Sequence, residues 1–192
     1  MAQFNHYLDV LDLSEVRALC MSRGELREYA RDEAFLRIGE VSEYLGFVES
    51  GYFKYVVRTA DEVERVVGLS FENDYVGDIN SALAGSPTEV SVVAGQRSRV
   101  WTVGMGDFIE LVSEKGLGYA MGIEVSLFRT LYTRYLDMYR LTPMERYVKI
   151  LTMYPDILQR VPLRELASFL CITPVHLSRL RKSIARGGVA NE

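Results

Sequence analysis

The sequence predicts an α+β chain with a β-rich N-terminal part, one long helix and a C-terminal pair of short helices. Three observations predict it. Between Glu25 and Gly104, short β-branched and aromatic runs alternate with Gly, Asp, Asn, Ser and Pro, the pattern of a sandwich or barrel. From Tyr119 to Arg140 the apolar period becomes helical. From Val161 to Ile184, VPLRELASFLCITPVHLSRLRKSI reads as two helices around a tight break.

Taken in order, residues Asn5 to Gly24 are expected to form a peripheral helix, with Leu8, Leu11, Val16 and Leu19 available for packing and Ser14 near Arg17 as a modest cap. The strands follow in ELREYARDEAFLRIGE, YLGFVESGYFKYVV, VERVVGLSF, TEVSVVAG and SRVWTVG. In the second of these, Tyr52, Lys54 and Val56 fall on one face and Phe53, Tyr55 and Val57 on the other, because strand side chains alternate. Arg58 to Glu62 is a hairpin loop. The loop NDYVGDINSALAGSPT, Asn73 to Thr88, is rich in the residues that build turns. It could also turn backbone N–H groups toward an anion. Glu62 and Glu64 read as a solvated strand face rather than an acid/base pair.

After Trp101 a short helix is expected from Phe108 to Ser113, then the long one. Val125, Phe128, Leu131, Tyr132, Tyr135 and Met138 give that helix a broad apolar and aromatic stripe. At about 22 residues it spans roughly 33 Å, and its stripe asks either for the β part or for the same helix of a second subunit. Leu141-Thr142-Pro143 breaks it. Thr142 and Glu145 then make a capping box for MERYVKILTMY.

In the terminal pair, Leu163, Leu166, Ala167 and Leu170 form one apolar stripe, with Pro162 in the first turn. Thr173 can cap the second helix and Pro174 opens it. Leu177, Leu180 and Ile184 point one way. Val175, Arg179, Lys182 and Arg186 line another face, flanked by His176 and Ser178. This is the layout of a helix-turn-helix, whose second helix enters the major groove. Its turn often carries Gly; here Cys171 or Ile172 stands there, and a side chain at positive φ is strained. Gly187-Gly188 should end the helix, with no room for a full wing.

Charge agrees with this division. The net charge of −4 hides a basic end: residues 140–192 hold nine Lys and Arg against four Asp and Glu, a balance of +5, while residues 1–139 stand at −9. A polyanion would therefore meet the C-terminal module. No run of eighteen apolar residues marks a membrane span, and the N-terminus shows no secretory signal. Cys20 and Cys171 lie in apolar surroundings and are expected as buried thiols in a reducing compartment, the cytoplasm. Two Cys and two His, His6 and His176, make no metal set and no His-rich barrel site, so no cofactor and no enzyme activity are expected.

Together SGYFKYV, FENDYVGD, ERYVKILTMYP, RVPLRELASFL and the ITP, HLSR and RK that follow resemble the Crp/Fnr family of bacterial transcription regulators, in its short wingless form found in Bacteroidetes. The resemblance covers nearly the whole chain. It implies a jelly-roll β domain of the cyclic-nucleotide-binding type over residues 1–114, a long dimerisation helix over 115–141 and a helix-turn-helix domain over 142–192. It also implies a homodimer through the 119–140 helix, double-stranded DNA as partner and RNA polymerase as a further one.

The same resemblance places residues. Gly77 and Asp78 match the Gly-Glu step of the family's phosphate-binding cassette, with Ile79 and Asn80 beside them. Eleven residues after that Gly the family has an Arg for the cyclic phosphate; here it is Thr88, followed by Glu89. A buried phosphate needs a cation, so cyclic AMP and cyclic GMP are not expected, and the pocket takes either another small-molecule effector or none. Thr133 and Arg134 match positions near the family's nucleobase. Arg179 matches a guanine-reading Arg, while Pro174 and Val175 replace the family's upstream readers; Val175 could meet a thymine methyl. The DNA-binding set is thus Thr173, Val175, His176, Ser178, Arg179, Arg181 and Lys182. A sensor or protein-interaction module with a vestigial helix-turn-helix is the alternative.

Overall fold

The computed structural model describes residues 4–5 and 12–185. Helix α1 (Ser14–Arg23) precedes eight strands: β1 (Glu25–Tyr29), β2 (Ala34–Leu36), β3 (Tyr44–Ser50), β4 (Tyr52–Arg58), β5 (Glu64–Phe71), β6 (Tyr75–Val76), β7 (Ser91–Ala94) and β8 (Ser98–Gly104). A short helix α2 (Ile79–Ala84) lies between β6 and β7. Then come α3 (Met105–Lys115), α4 (Leu117–Arg140), α5 (Pro143–Met153), α6 (Ile157–Arg160), α7 (Leu163–Phe169) and α8 (Pro174–Ala185).

The strands form two antiparallel four-stranded sheets, ordered β1-β8-β3-β6 and β2-β7-β4-β5, the jelly roll that the short punctuated runs suggested. Tyr29, Val48, Phe53, Val76, Val92 and Val100 fill the space between them. Alternation along β4 sends Phe53 inward and Tyr52 outward. The register shifts between Tyr55 and Val56, opposite Gly68 and Val66 of β5. Such a bulge breaks the period of two, which lets Val66 and Leu69 face the same side and join Tyr52 and Phe71 in one outer cluster.

That outer face explains why β4 and β5 are apolar on both sides. The second side is covered by the C-terminal module: Tyr147, Ile157, Val161, Leu166, Ala167, Leu170 and Leu177 are buried in the same cluster. Phe4 wedges into the seam, its ring 5.0 Å from Phe71 and 4.5 Å from Tyr154. Asn5 donates to the Leu69 carbonyl at 3.0 Å and to the Asp74 carboxylate.

Several expectations need correction. Helix α1 is not peripheral: Val16 and Cys20 are fully buried and pack on Leu45, Val103 and Phe108. Its first turn is not capped by Ser14; the Asp12 carboxylate accepts from the Ser14 N–H at 2.9 Å. The expected segment before it and the Gly187-Gly188 stop lie outside the described residues. The helix read as Phe108 to Ser113 runs from Met105 to Lys115, because Met105 and Phe108 anchor it in the core. Both cysteines are free, but only Cys20 is buried, its thiol pushed up to about 12 by desolvation. Cys171 is exposed.

Other expectations agree with the chain. The capping box is formed at both ends, by the Thr142 hydroxyl and the Glu145 carboxylate. The apolar stripe of α4 is largely without cover: Val125, Phe128 and Leu131 are 58%, 65% and 58% exposed. Phe128 and Tyr132 stack at 5.4 Å.

Candidate nucleic-acid interface and effector site

Helices α7 and α8 meet through a tight turn. The Cys171 N–H reaches the Ser168 carbonyl and the Ile172 N–H reaches the Ala167 carbonyl, both at 3.0 Å. This back-bonding closes the end of α7 and requires a left-handed residue, which is Cys171 at φ +57°. The turn therefore keeps the geometry that Gly usually supplies. Thr173 accepts from the His176 N–H at 3.1 Å and caps α8. Leu177 is fully buried and fastens α8 to α7.

The opposite face of α8 is open. Thr173, Val175, His176, Arg179, Arg181 and Lys182 are exposed and Ser178 is half-buried. Arg181 also lies beside the buried Tyr147 hydroxyl: burial pushes that hydroxyl up, and the guanidinium pulls it down. Arg181 is thus drawn toward α5 at the base of the helix.

The cassette residues form a separate cluster at β6, α2 and the loop before β7. Gly77 sits at φ +142°, and a Cβ there would meet the Tyr44 carbonyl at 3.0 Å. Its own carbonyl accepts from the Tyr55 hydroxyl at 3.3 Å. Asp78 caps α2 through the Ser81 N–H and also accepts from the Thr88 hydroxyl at 2.6 Å. Thr88 is buried, and Ser81 bonds to the Ser86 carbonyl at 2.6 Å. Asn80 and Glu89 are exposed and Ile79 is half-buried. Both Asp78 oxygens are therefore engaged within the loop. Where a cation would meet a phosphate, a neutral Thr points at a carboxylate, so an anion there would face repulsion and desolvation without compensation.

Thr133 and Arg134 are not part of that cluster. They line a cavity of about 650 Å³ between β5, α4, α5 and α7, whose lining includes none of the cassette residues. Arg134 donates to the Val67 carbonyl at 2.8 Å and lies over the Phe169 ring at 4.8 Å.

A polar set missed in the sequence ties the module to the β domain. Lys54 of β4 and Glu165 of α7 pair at 2.9 Å, each side chain only 12% exposed. The Tyr52 hydroxyl donates to the same carboxylate at 2.9 Å, held in place where its ring covers Gly95, at which a Cβ would lie 2.0 Å from the ring. The Val66 N–H donates to the Ser168 hydroxyl at 2.9 Å, and Arg160 pairs with Glu72. The available signal was Lys54, a cation in the middle of an apolar strand.

The geometry defines a class: a β roll with a cassette-like loop, one long helix and a helix-turn-helix. Residues 26–115 match the cyclic nucleotide-binding domain family. Three solved structures share the fold over most of the chain. FixK2 from Bradyrhizobium japonicum has a TM-score of 0.72 at 18% identity, over 88% of this chain and 89% of its own. The regulator CLP of Xanthomonas campestris, described as c-di-GMP responsive, has 0.68 at 18%, over 94% and 95%. The Thermus thermophilus catabolite activator protein has 0.55 at 21%, over 93% and 86%. No curated protein sequence matches. Residues 26–115 thus carry a cyclic-nucleotide-binding-type domain, and the chain shares its overall fold with these three proteins. Among the described residues no helix is long and apolar enough to cross a membrane, and no group of His, Cys, Asp and Glu could hold a metal ion.

Proposed function

We propose that this protein is a homodimeric, sequence-specific DNA-binding regulator of transcription rather than an enzyme, acting in the cytoplasm with RNA polymerase as a further partner. The observation that carries the reading is α8: a capped helix of 12 residues, anchored by Leu177, with Val175, His176, Arg179 and Lys182 all open to solvent. Arg is the side chain matched to the two guanine acceptors in the major groove. Thr173, Ser178 and Arg181 would hold phosphates or flank the bases. The exposed stripe of α4 supplies the dimer contact, since a patch of that extent on one helix asks for a partner.

The signal would act on the β domain. Gly77, Asp78, Ile79, Asn80, Thr88 and Glu89 form a loop wired to itself, and Thr88 on Asp78 argues against cyclic AMP or cyclic GMP. An effector of other chemistry shifts the balance between the docked module and a released one, a population shift whose size equals its differential affinity.

Selection of bound duplexes from a random DNA pool tests the reading. The expected product is a two-fold symmetric site with half-sites about 10–11 base pairs apart, centre to centre. A pool that stays unenriched, from protein of monomer mass, would favour a sensor module with a vestigial helix-turn-helix.

A further inference from the structure

The cavity between β5, α4, α5 and α7 is not explained by DNA binding or by the cassette. At about 650 Å³ it has the size of a small-molecule site. Much of its wall is apolar, with Tyr135, Ile150, Met153 and Leu170 among the contributors. Three guanidiniums, Arg129, Arg134 and Arg146, also line it, while Lys149 is neutralised by Asp137.

Arg129 and Arg146 make no ion pair with a carboxylate among the described residues, and the Asp74 carboxylate acts on Arg134 through the field alongside that side chain's own burial. Arg134 is held by the Val67 carbonyl and the Phe169 ring. Arg146 donates to the carbonyls of Leu141 at 2.7 Å and Leu170 at 3.2 Å, and its Nε is buried with no acceptor. Arg134 and Arg146 are half-buried and Arg129 is exposed; taking a guanidinium out of water is costly, and the orphaned Arg146 N–H adds to the cost. A ligand carrying one anionic group on an apolar body would offset both: its body would replace water against the apolar wall, and its charge would face the guanidiniums of Arg134 and Arg146 and the orphaned Arg146 N–H.

We infer that this cavity is a binding site for an amphipathic organic anion of the medium-chain carboxylate class. The wall draws on β5 of the β domain and on α5 and α7 of the C-terminal module. Occupancy therefore bears on how the two are held together. The site is independent of whether α8 reads DNA.

Calorimetric titration of the full-length protein with decanoate, 1-decanol and decylammonium tests it. Decanoate is expected to bind at one site per chain and about ten-fold or more tighter than either analogue. Arg134→Met removes a cation from the cavity wall and should weaken decanoate by about ten-fold or more. Met153→Trp keeps every charge but narrows the cavity, and should abolish binding in a protein that still melts cooperatively; it covers the case in which Arg134→Met does not fold. The inference is overturned if decanoate gives no binding at about 1 mM, as it would were a partner subunit's helix to occupy the cavity. It is equally overturned if decanol binds as well, or if Met153→Trp leaves decanoate unchanged, which would place the probe outside this cavity.

Discussion

The Lys54 ammonium lies 2.9 Å from the Glu165 carboxylate, across the seam that joins the β roll to the first helix of the helix-turn-helix. Glu165 also takes the Tyr52 hydroxyl, so one carboxylate serves two donors from β4. Lys54 has a second, more exposed partner in Asp32 at 3.1 Å. Glu165→Ala leaves the Tyr52 hydroxyl without its acceptor and Lys54 with Asp32 alone. Hydrogen bonds to charged groups contribute about 1.5–3 kcal/mol each, and the loss should be of that order. Urea unfolding followed by circular dichroism would read it as a lower midpoint, and Glu165→Gln should lose less because it still accepts from Tyr52.

The same network gives a pH dependence. Burial pushes the Tyr52 hydroxyl above its ordinary 10.0, and Glu165 adds to the rise. Burial by itself would lower Lys54, but Glu165 and Asp32 together hold it above its ordinary 10.5. Both groups bind protons more tightly in the folded state. Their contribution is therefore complete below the unfolded values and is lost as pH rises through the folded ones. The gap in urea midpoint between the wild type and Glu165→Ala should be constant to about pH 10 and shrink above it. A gap that stays constant through about pH 11 would contradict the assignment.

Phe128, 65% exposed and stacked on Tyr132, stands in the middle of the α4 stripe. If that stripe is the dimer contact, Phe128→Glu places two like charges across a two-fold interface. The monomer itself should be little affected, because the side chain touches mainly solvent there. Sedimentation should show a dimer for the wild type and a monomer for the variant at the same concentration.

Cys171 occupies the left-handed region at φ +57°, which costs an L-residue roughly 1–2 kcal/mol. Its thiol is exposed and touches the Met138 sulfur at 3.7 Å. Cys171→Gly relieves the strain but adds freedom to the unfolded chain. The net should be a gain of up to about 1 kcal/mol, seen as a raised urea midpoint.

The fold was legible wherever local chemistry decides. Short alternating runs gave the two sheets, the Thr142–Glu145 box gave the start of α5, and the Leu166, Ala167 and Leu170 stripe gave the buried face of α7. What covers the second apolar face of β4 and β5 was not legible, because periodicity marks a face as buried without naming its neighbour. For the same reason the helix that carries Val16, Leu19 and Cys20 looked peripheral although it closes the core. Among candidate site residues, Arg179 and Val175 followed from helical spacing. The separation of Arg134 from the Gly77–Glu89 loop did not, since it depends on where α4 lies against β5. Glu165, Ser168 and Arg160 look like ordinary surface residues until the module docks.

The central claim is that α8 reads base sequence, and Arg179 tests it most directly. With the duplex selected by the wild type, affinities of wild type and Arg179→Ala would be measured for that site and for a scrambled one at matched salt. The account predicts that Arg179→Ala loses about 1–3 kcal/mol on the selected site, with discrimination relaxed at one base pair per half-site and scrambled binding reduced far less. Equal losses on both duplexes would make Arg179 a phosphate contact. A wild type that fails to distinguish the two duplexes would contradict sequence-specific recognition altogether.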